Sequence, residues 1–292
     1  MDASHPPANR ESEGGASPEE RLADVRRRLD EHPGYREYRA WQRLKRTLDA
    51  VFVQNWRVLL TILNRPNQDA ALAIELFQNM SKPTVREGYE LAVTNALHNY
   101  VAGSATLIDH ARRLMRDRTG AIADEFAARV VAANEHPELP FIKDMRNYVL
   151  HVSHPFLGHT VNIASVQGPI TAEIELSKTD LLAWDGWVRA SRSFIRSSDE
   201  KITLRLIVDA HGKIMVDLHV WLLQQLGEDN RVALDDVNRL MVEGNAILGG
   251  LSMEAAKRWT EAVTELRESP TPIKTEDWLE KVRGLGLDQE PL

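Results

Sequence analysis

Within Phe141-Ile142-Lys143-Asp144-Met145-Arg146-Asn147-Tyr148-Val149-Leu150-His151, three residue types suited to phosphodiester chemistry stand close together. Asn147 and His151 are four apart, so on a helix they share one face. Arg146 stands beside Asn147, and its long side chain reaches toward the same face. An imidazole with an ordinary pKa of about 6.5 takes or returns a proton near neutrality. The planar guanidinium fork pairs with phosphate oxygens and stabilises charge developing on them. The amide orients one of these groups or the phosphate. Together they suit cleavage of RNA by its own 2′-hydroxyl, which needs neither a carboxylate cage nor a thiolate.

Other residues that could do chemistry point to plainer roles. His151, His154 and His159 form a loose cluster, but Pro155 breaks the helix and no acid stands at ligand spacing, so no metal is expected. His98 and His110 are about 120° apart around a helix and cannot share a ligand from one face. His211 and His219 fall in an apolar run and read as buried, hydrogen-bonded residues, with Asp209 and Asp217 as solvated or paired charges. Arg112, Arg113 and Arg116, with Arg118, cluster near a helix end, where they complement the helix dipole or contact RNA phosphate. The tryptophans at 41, 56, 184, 187, 221, 259 and 278 lie mostly on apolar stripes and read as core anchors, not a base-stacking platform. The sequence has no Gly-rich phosphate loop, no Gly-x-Ser-x-Gly and no His-Glu-x-x-His.

Composition limits the partners. The 292 residues are 43% hydrophobic and 27% charged, enough for a substantial core in about two domains or one with extensions. Asp and Glu number 43 against 36 Lys and Arg, a formal charge of −7. That excludes a general polyanion binder and confines any RNA contact to a local patch. With no cysteine, disulfides, thiolate zinc sites and thiol nucleophiles are all excluded, and a reducing compartment fits. No run of about 18 apolar residues exists, and the first residues lack the basic start and apolar stretch of a signal peptide. A cytoplasmic protein without a membrane partner is the expectation.

The elements that must position the motif follow from periodicity and punctuation. Residues 1–16 read as a disordered tail. Ser17-Pro18-Glu19-Glu20 opens a helix that ends near His32-Pro33-Gly34. One long helix is predicted from Tyr35 to Asn64, stopped by Pro66, and a short one from Gln68 to Met80. Further helices are predicted over Thr84–Arg116, Ala121–Asn134 and Glu138–Ser153, the last ended by Pro155. Alternation from Val161 to Leu176 about Gln167-Gly168-Pro169 predicts a β-hairpin. Ser177 or Thr179 restarts a helix to Phe194. Ser197-Ser198-Asp199-Glu200 resembles a capping box before a helical run over Leu204–Leu226, and two or three helices fill 233–282. The chain is thus expected to be mostly α with one small β-hairpin. Its parts are a tail (1–16), N-terminal helices packing on the core (17–82), the motif-bearing core (83–155), and a hairpin with C-terminal helices (156–292).

Arg146-Asn147-x-x-x-His151 near a helix end, preceded by the long helix through Leu97-His98-Asn99-Tyr100-Val101, resembles the signature of the HEPN superfamily over roughly residues 83–154. The resemblance implies a HEPN-like helical bundle with extra flanking helices, and a metal-independent endoribonuclease without cofactor. Arg146, Asn147 and His151 would be its catalytic residues and RNA its substrate. The family's cleft typically lies between two HEPN domains. This chain carries one motif, so a homodimer is implied. Toxins of toxin–antitoxin pairs and type VI CRISPR effectors carry related motifs, which implies a toxin or defence role and a regulatory protein partner. The alternative is a non-catalytic HEPN-like module that binds RNA, nucleotide or a protein.

Overall fold

Ser17 caps the first helix, α1 (Pro18–Glu31). Its hydroxyl accepts from the Glu20 amide while the Glu20 carboxylate accepts from the Ser17 amide, so two otherwise orphan donors are satisfied. The structure, a computed structural model, describes residues 16–78, 83–151, 157–163 and 170–268. Most of the expected tail, the ends of the helices expected at Met80 and Ser153, the hairpin turn at 167–169 and everything beyond 268 lie outside the described residues.

The long helix predicted from Tyr35 to Asn64 is α2 (Tyr35–Arg46), a π-helical stretch (Thr47–Val53) and α3 (Gln54–Gln68), following without a gap. Pro66 does not stop it. Proline lacks the N–H that would reach the Ile62 carbonyl, and the Tyr89 hydroxyl donates to that carbonyl instead, at 2.8 Å. The helix therefore continues to Gln68. Asp69 then caps α4 (Ala70–Gln78) by accepting from the Leu72 amide at 3.0 Å. The next helices fall where the sequence predicts them: α5 (Pro83–Met115), α6 (Ala121–Asn134) and α7 (Glu138–His151). Gly120, at φ 92°, takes the left-handed turn into α6.

β1 (Leu157–Ile163) and β2 (Ile170–Ser177) form the expected antiparallel hairpin, Leu157 opposite Leu176 and Ile163 opposite Ile170. Two sequence expectations need correction here. The helix expected to run to Phe194 is two short ones, α8 (Lys178–Ala183) and α9 (Arg189–Ser197). They are parted because Trp187 donates its indole N–H to the Leu181 carbonyl at 2.6 Å, closing α8. Nor do residues 197–200 form a capping box. The hydroxyls of Ser197 and Ser198 donate back to the Phe194 carbonyl, and Lys201–Thr203 becomes β3, a third strand on β2. The remaining helices are α10 (Leu204–Asp229), α11 (Arg231–Gly249) and α12 (Met253–Glu268). The fold is mostly α with one small antiparallel sheet.

Two compact units divide the described residues, 39–229 in one and 16–38 with 230–268 in the other. In the smaller unit Val25 and Leu29 of α1 bury against Val237 and Leu240 of α11, and Arg28 pairs with Glu243 at 3.0 Å. Val242, Ala246 and Ala256 join α11 to α12. In the larger unit the core gathers Phe52, Leu59 and Leu63, Leu97, Tyr100 and Leu107, and Phe141, Ile142 and Met145 with residues of α10. From β2, Ala172, Ile174 and Leu176 point inward and alternate with less buried Glu173 and Glu175. Trp41, Trp56, Trp184, Trp187 and Trp221 all pack in this core, as the sequence predicts for most of the tryptophans. No helix among the described residues is long and apolar enough to cross a membrane.

Gly212 explains why a glycine sits inside α10. The Trp56 indole lies directly on it, donating to the Val208 carbonyl at 3.1 Å, and a Cβ at 212 would overlap the ring. Gly212→Ala gains about 1 kcal/mol of helix propensity but forces Trp56 off its site. Overpacking of this kind costs more than propensity returns, so a net loss of about 2–3 kcal/mol is expected in a urea titration. A variant as stable as the parent would show that the indole moves freely.

Candidate functional site

Two prolines start α7. Pro137 lies before it and Pro140 in its first turn, where the missing N–H has no intrahelical partner to lose. Phe141, Ile142, Met145, Tyr148 and Val149 then form one buried stripe, and α7 packs by it against α5, α9 and α10. An aromatic stack fixes the helix further. Trp187 lies between Phe141 and Tyr148, each centroid 5.5 Å away and the planes within 9° and 16°. Trp184 meets Tyr148 and Trp187 edge-on at 5.4 and 4.8 Å.

Asp144 is a structural determinant that the sequence reading missed. It is 4% exposed, and its carboxylate accepts from the Val188 amide at 2.9 Å and from the Ser191 hydroxyl at 2.7 Å. Both donors lie at the start of α9, whose own residues supply no side-chain cap. A carboxylate at a helix N-terminus also meets the positive end of the dipole. One residue of α7 thus begins the next helix but one. The signal was present in the sequence, since Asp144 falls on the apolar stripe between Phe141 and Tyr148. A charge there requires buried partners.

The other side of α7 is its solvent face. Lys143, Arg146 and Asn147 are all exposed. Among the described residues neither Arg146 nor Asn147 has a hydrogen-bond or ion-pair partner. His151 is the last residue of α7, one turn beyond Asn147. Its side chain, His154 and the side chain of His159 lie outside what the structure describes. The backbone therefore places positions 146, 147 and 151 on the last turns of one rigidly held helix, with the first two side chains open to a ligand.

The arginines expected to contact phosphate stand at the other end of a neighbouring element. Arg112 and Arg113 are exposed in the last turn of α5, and exposed Arg116 follows its last residue. Arg112 lies 4.0 Å from Asp109. α5 packs on α7.

His110, His211 and His219 take internal partners. His110 shares a 2.7 Å hydrogen bond with Thr47, and burial, aided by Arg43 and Arg113, lowers its pKa. His211 is buried and shares a 2.5 Å hydrogen bond with the Tyr100 hydroxyl. His219 is also buried and donates Nδ1–H to the Met215 carbonyl at 2.7 Å. Asp209 pairs with Lys213 at 2.7 Å, and Asp217 is exposed. These are the roles the sequence predicts. No group of three or more His, Asp or Glu placed to hold a metal ion occurs among the described residues. No known protein family, curated protein or solved structure matches the chain.

Proposed function

We propose that the chain is a HEPN-like endoribonuclease that cleaves RNA by 2′-hydroxyl attack without a metal ion. One observation carries this reading: exposed Arg146 and Asn147, without a partner among the described residues, stand on the last turns of a helix pinned from behind, one turn ahead of His151. Arg146 holds the phosphate and stabilises charge on its oxygens as the phosphorane forms. Asn147 orients the phosphate or the imidazole. His151 moves the proton. The 2′-oxygen bonds to phosphorus as the 5′-oxygen leaves with a proton, giving a 2′,3′-cyclic phosphate and a 5′-hydroxyl.

In-line transfer needs a base at the nucleophile and an acid at the leaving oxygen, and one motif offers one imidazole. A homodimer would face two copies of the same patch across its axis and supply both. A regulatory protein partner would act by covering this face.

The test is cleavage of single-stranded RNA in excess EDTA. Persisting activity, cyclic phosphate ends, resistance of 2′-O-methyl RNA and a fall in specific activity on dilution are the expected results. Activity lost on chelation and restored by a divalent ion would overturn the mechanism. Binding of RNA without cleavage would leave the non-catalytic module.

A further inference from the structure

Thr47 meets His110, Val51 lies over Gly103 and the Tyr89 hydroxyl reaches Ile62, so α5 runs antiparallel to the π-helical stretch and α3. Asn55 also abuts Gly103, and Val58 stands one turn further along the same side of α3. The two elements thereby turn one face outward together. From Gly88 to Thr106 every exposed residue of α5 is uncharged. Exposed residues on the other long helices are mixed, with Lys213 and Asp217 on α10 and Arg231, Asp235 and Arg239 on α11. Val51 and Val58 border the uncharged stretch at 37% and 49% exposure, and Leu91 within it is 61% exposed. A chain of net charge −7 thus leaves about 27 Å of its longest helix free of charge on the outside, flanked by exposed apolar side chains.

The spacing tells what covers this face. Gly88, Ala92, Asn95, Asn99, Ala102 and Thr106 follow one another at steps of four, three, four, three and four, the seam of a helix that packs along another helix. The seam is also symmetric about position 97. Laid antiparallel on a second copy, it sets Gly88 opposite Thr106, Ala92 opposite Ala102 and Asn95 opposite Asn99, each pair repeated across a two-fold axis. Glycine and alanine let the backbones approach. Asn95 and Asn99 have no hydrogen-bond partner among the described residues. Each amide carries donors and an acceptor, so the two satisfy one another, and a polar pair within a seam fixes its register. The Thr106 hydroxyl already donates to the Ala102 carbonyl at 2.9 Å and brings no orphan donor. A parallel pairing would gather exposed Arg112, Arg113 and Arg116 of both copies at one end, whereas the antiparallel one parts them. Two helices about 8–10 Å apart make the face about 18 Å wide, hence about 500 Å² on each copy and about 1,000 Å² in all, where specific interfaces begin. We propose that the chain forms a two-fold homodimer through this face of α5 and α3, with α5 antiparallel to its symmetry mate. The dimer stands whether or not the chain cleaves RNA.

The full-length protein has no cysteine of its own, so engineered disulfides report the pairing directly. Ala92→Cys together with Ala102→Cys should give a disulfide-linked dimer under mild oxidation, because each cysteine faces its counterpart in the other copy. Ala92→Cys alone should stay largely unlinked, since its two copies lie about 15 Å apart along the axis, beyond disulfide reach. Within one chain, positions 92 and 102 are parted by the same distance, so no internal bridge competes. Light scattering over a dilution series is the second measurement. Asn99→Lys sets two ammonium groups about 6 Å apart along the axis with no counter-charge in the seam. It should weaken dimerisation at least about a hundredfold, with far-UV circular dichroism unchanged. A monomeric parent would overturn this interface and the two-motif site together. A dimer that Asn99→Lys leaves at parental affinity would overturn the interface alone and leave the ribonuclease reading a homodimer through another surface. Equal linking by Ala92→Cys alone would overturn the antiparallel pairing.

Discussion

Arg146→Ala and His151→Ala are each expected to lower RNA cleavage by two to four orders of magnitude. The range follows from the worth of a positioned acid–base group, about 10²–10⁴, and of a donor that meets charge only in the transition state, about 10²–10³. Arg146 is exposed and has no hydrogen bond or ion pair among the described residues, so its removal should change stability by no more than about 0.5 kcal/mol. Arg146→Lys should recover only part of the rate, because an ammonium cannot reproduce a two-pronged contact with phosphate. Removing the imidazole should also flatten whichever limb of the kcat/KM profile His151 sets. Single-turnover cleavage with melting curves on the same samples decides the matter. Wild-type rates in both alanine variants would refute the site, and an unfolded Arg146→Ala would give that residue a structural role.

What could be read from the sequence was mostly what local chemistry dictates. Ser17 with Glu20, and Gly120 before Ala121, fix helix starts by hydrogen bonding and backbone freedom within a few residues, and the structure keeps both. Several failures came from partners the local pattern does not show. Pro66 is a sound stop signal until Tyr89 supplies the donor that proline lacks. The break between α8 and α9 depends on Trp187 reaching back to Leu181 and on Asp144, 44 residues before Val188. The π-helical stretch left a trace that was not used. Leu44, Leu48, Phe52 and Trp56 recur at steps of four, and in an α-helix each such step turns about 40° away from the core. A wider turn brings them back into line. At the site, the exposed face of α7 followed from the apolar stripe on the opposite side, whereas Asp144 escaped because its partners lie on α9.

Acidification should unfold the protein well above the pKa of an ordinary carboxylate, because two histidines are folded in their neutral form. Burial pushes His211 down to about 3, helped by repulsion from His219, and pushes His219 down to about 4 against the opposing pull of the Met215 carbonyl. In the unfolded chain both titrate near 6.5. Below that pH the unfolded state binds protons that the folded state refuses, so the stability contributed by neutral burial is intact above 6.5 and is lost as pH falls toward 4. Each histidine removes about 1.4 kcal/mol per pH unit across that window. The pair should therefore take about 6 kcal/mol between pH 7 and 4, comparable with the whole stability of a typical domain. The surroundings offer little compensation. Tyr100, which holds His211, is itself pushed well up by burial, chiefly, and by Asp209, so it keeps its proton and gives no negative charge to a protonated ring. Urea titrations at half-unit steps from pH 7 to 4.5 measure the slope directly. His219→Gln keeps an N–H for the Met215 carbonyl but cannot titrate, and its slope should be shallower by about 1.4 kcal/mol per pH unit. Parallel slopes for the variant and the parent would show that His219 is not the source of the acid lability, whatever the absolute stabilities of the two proteins.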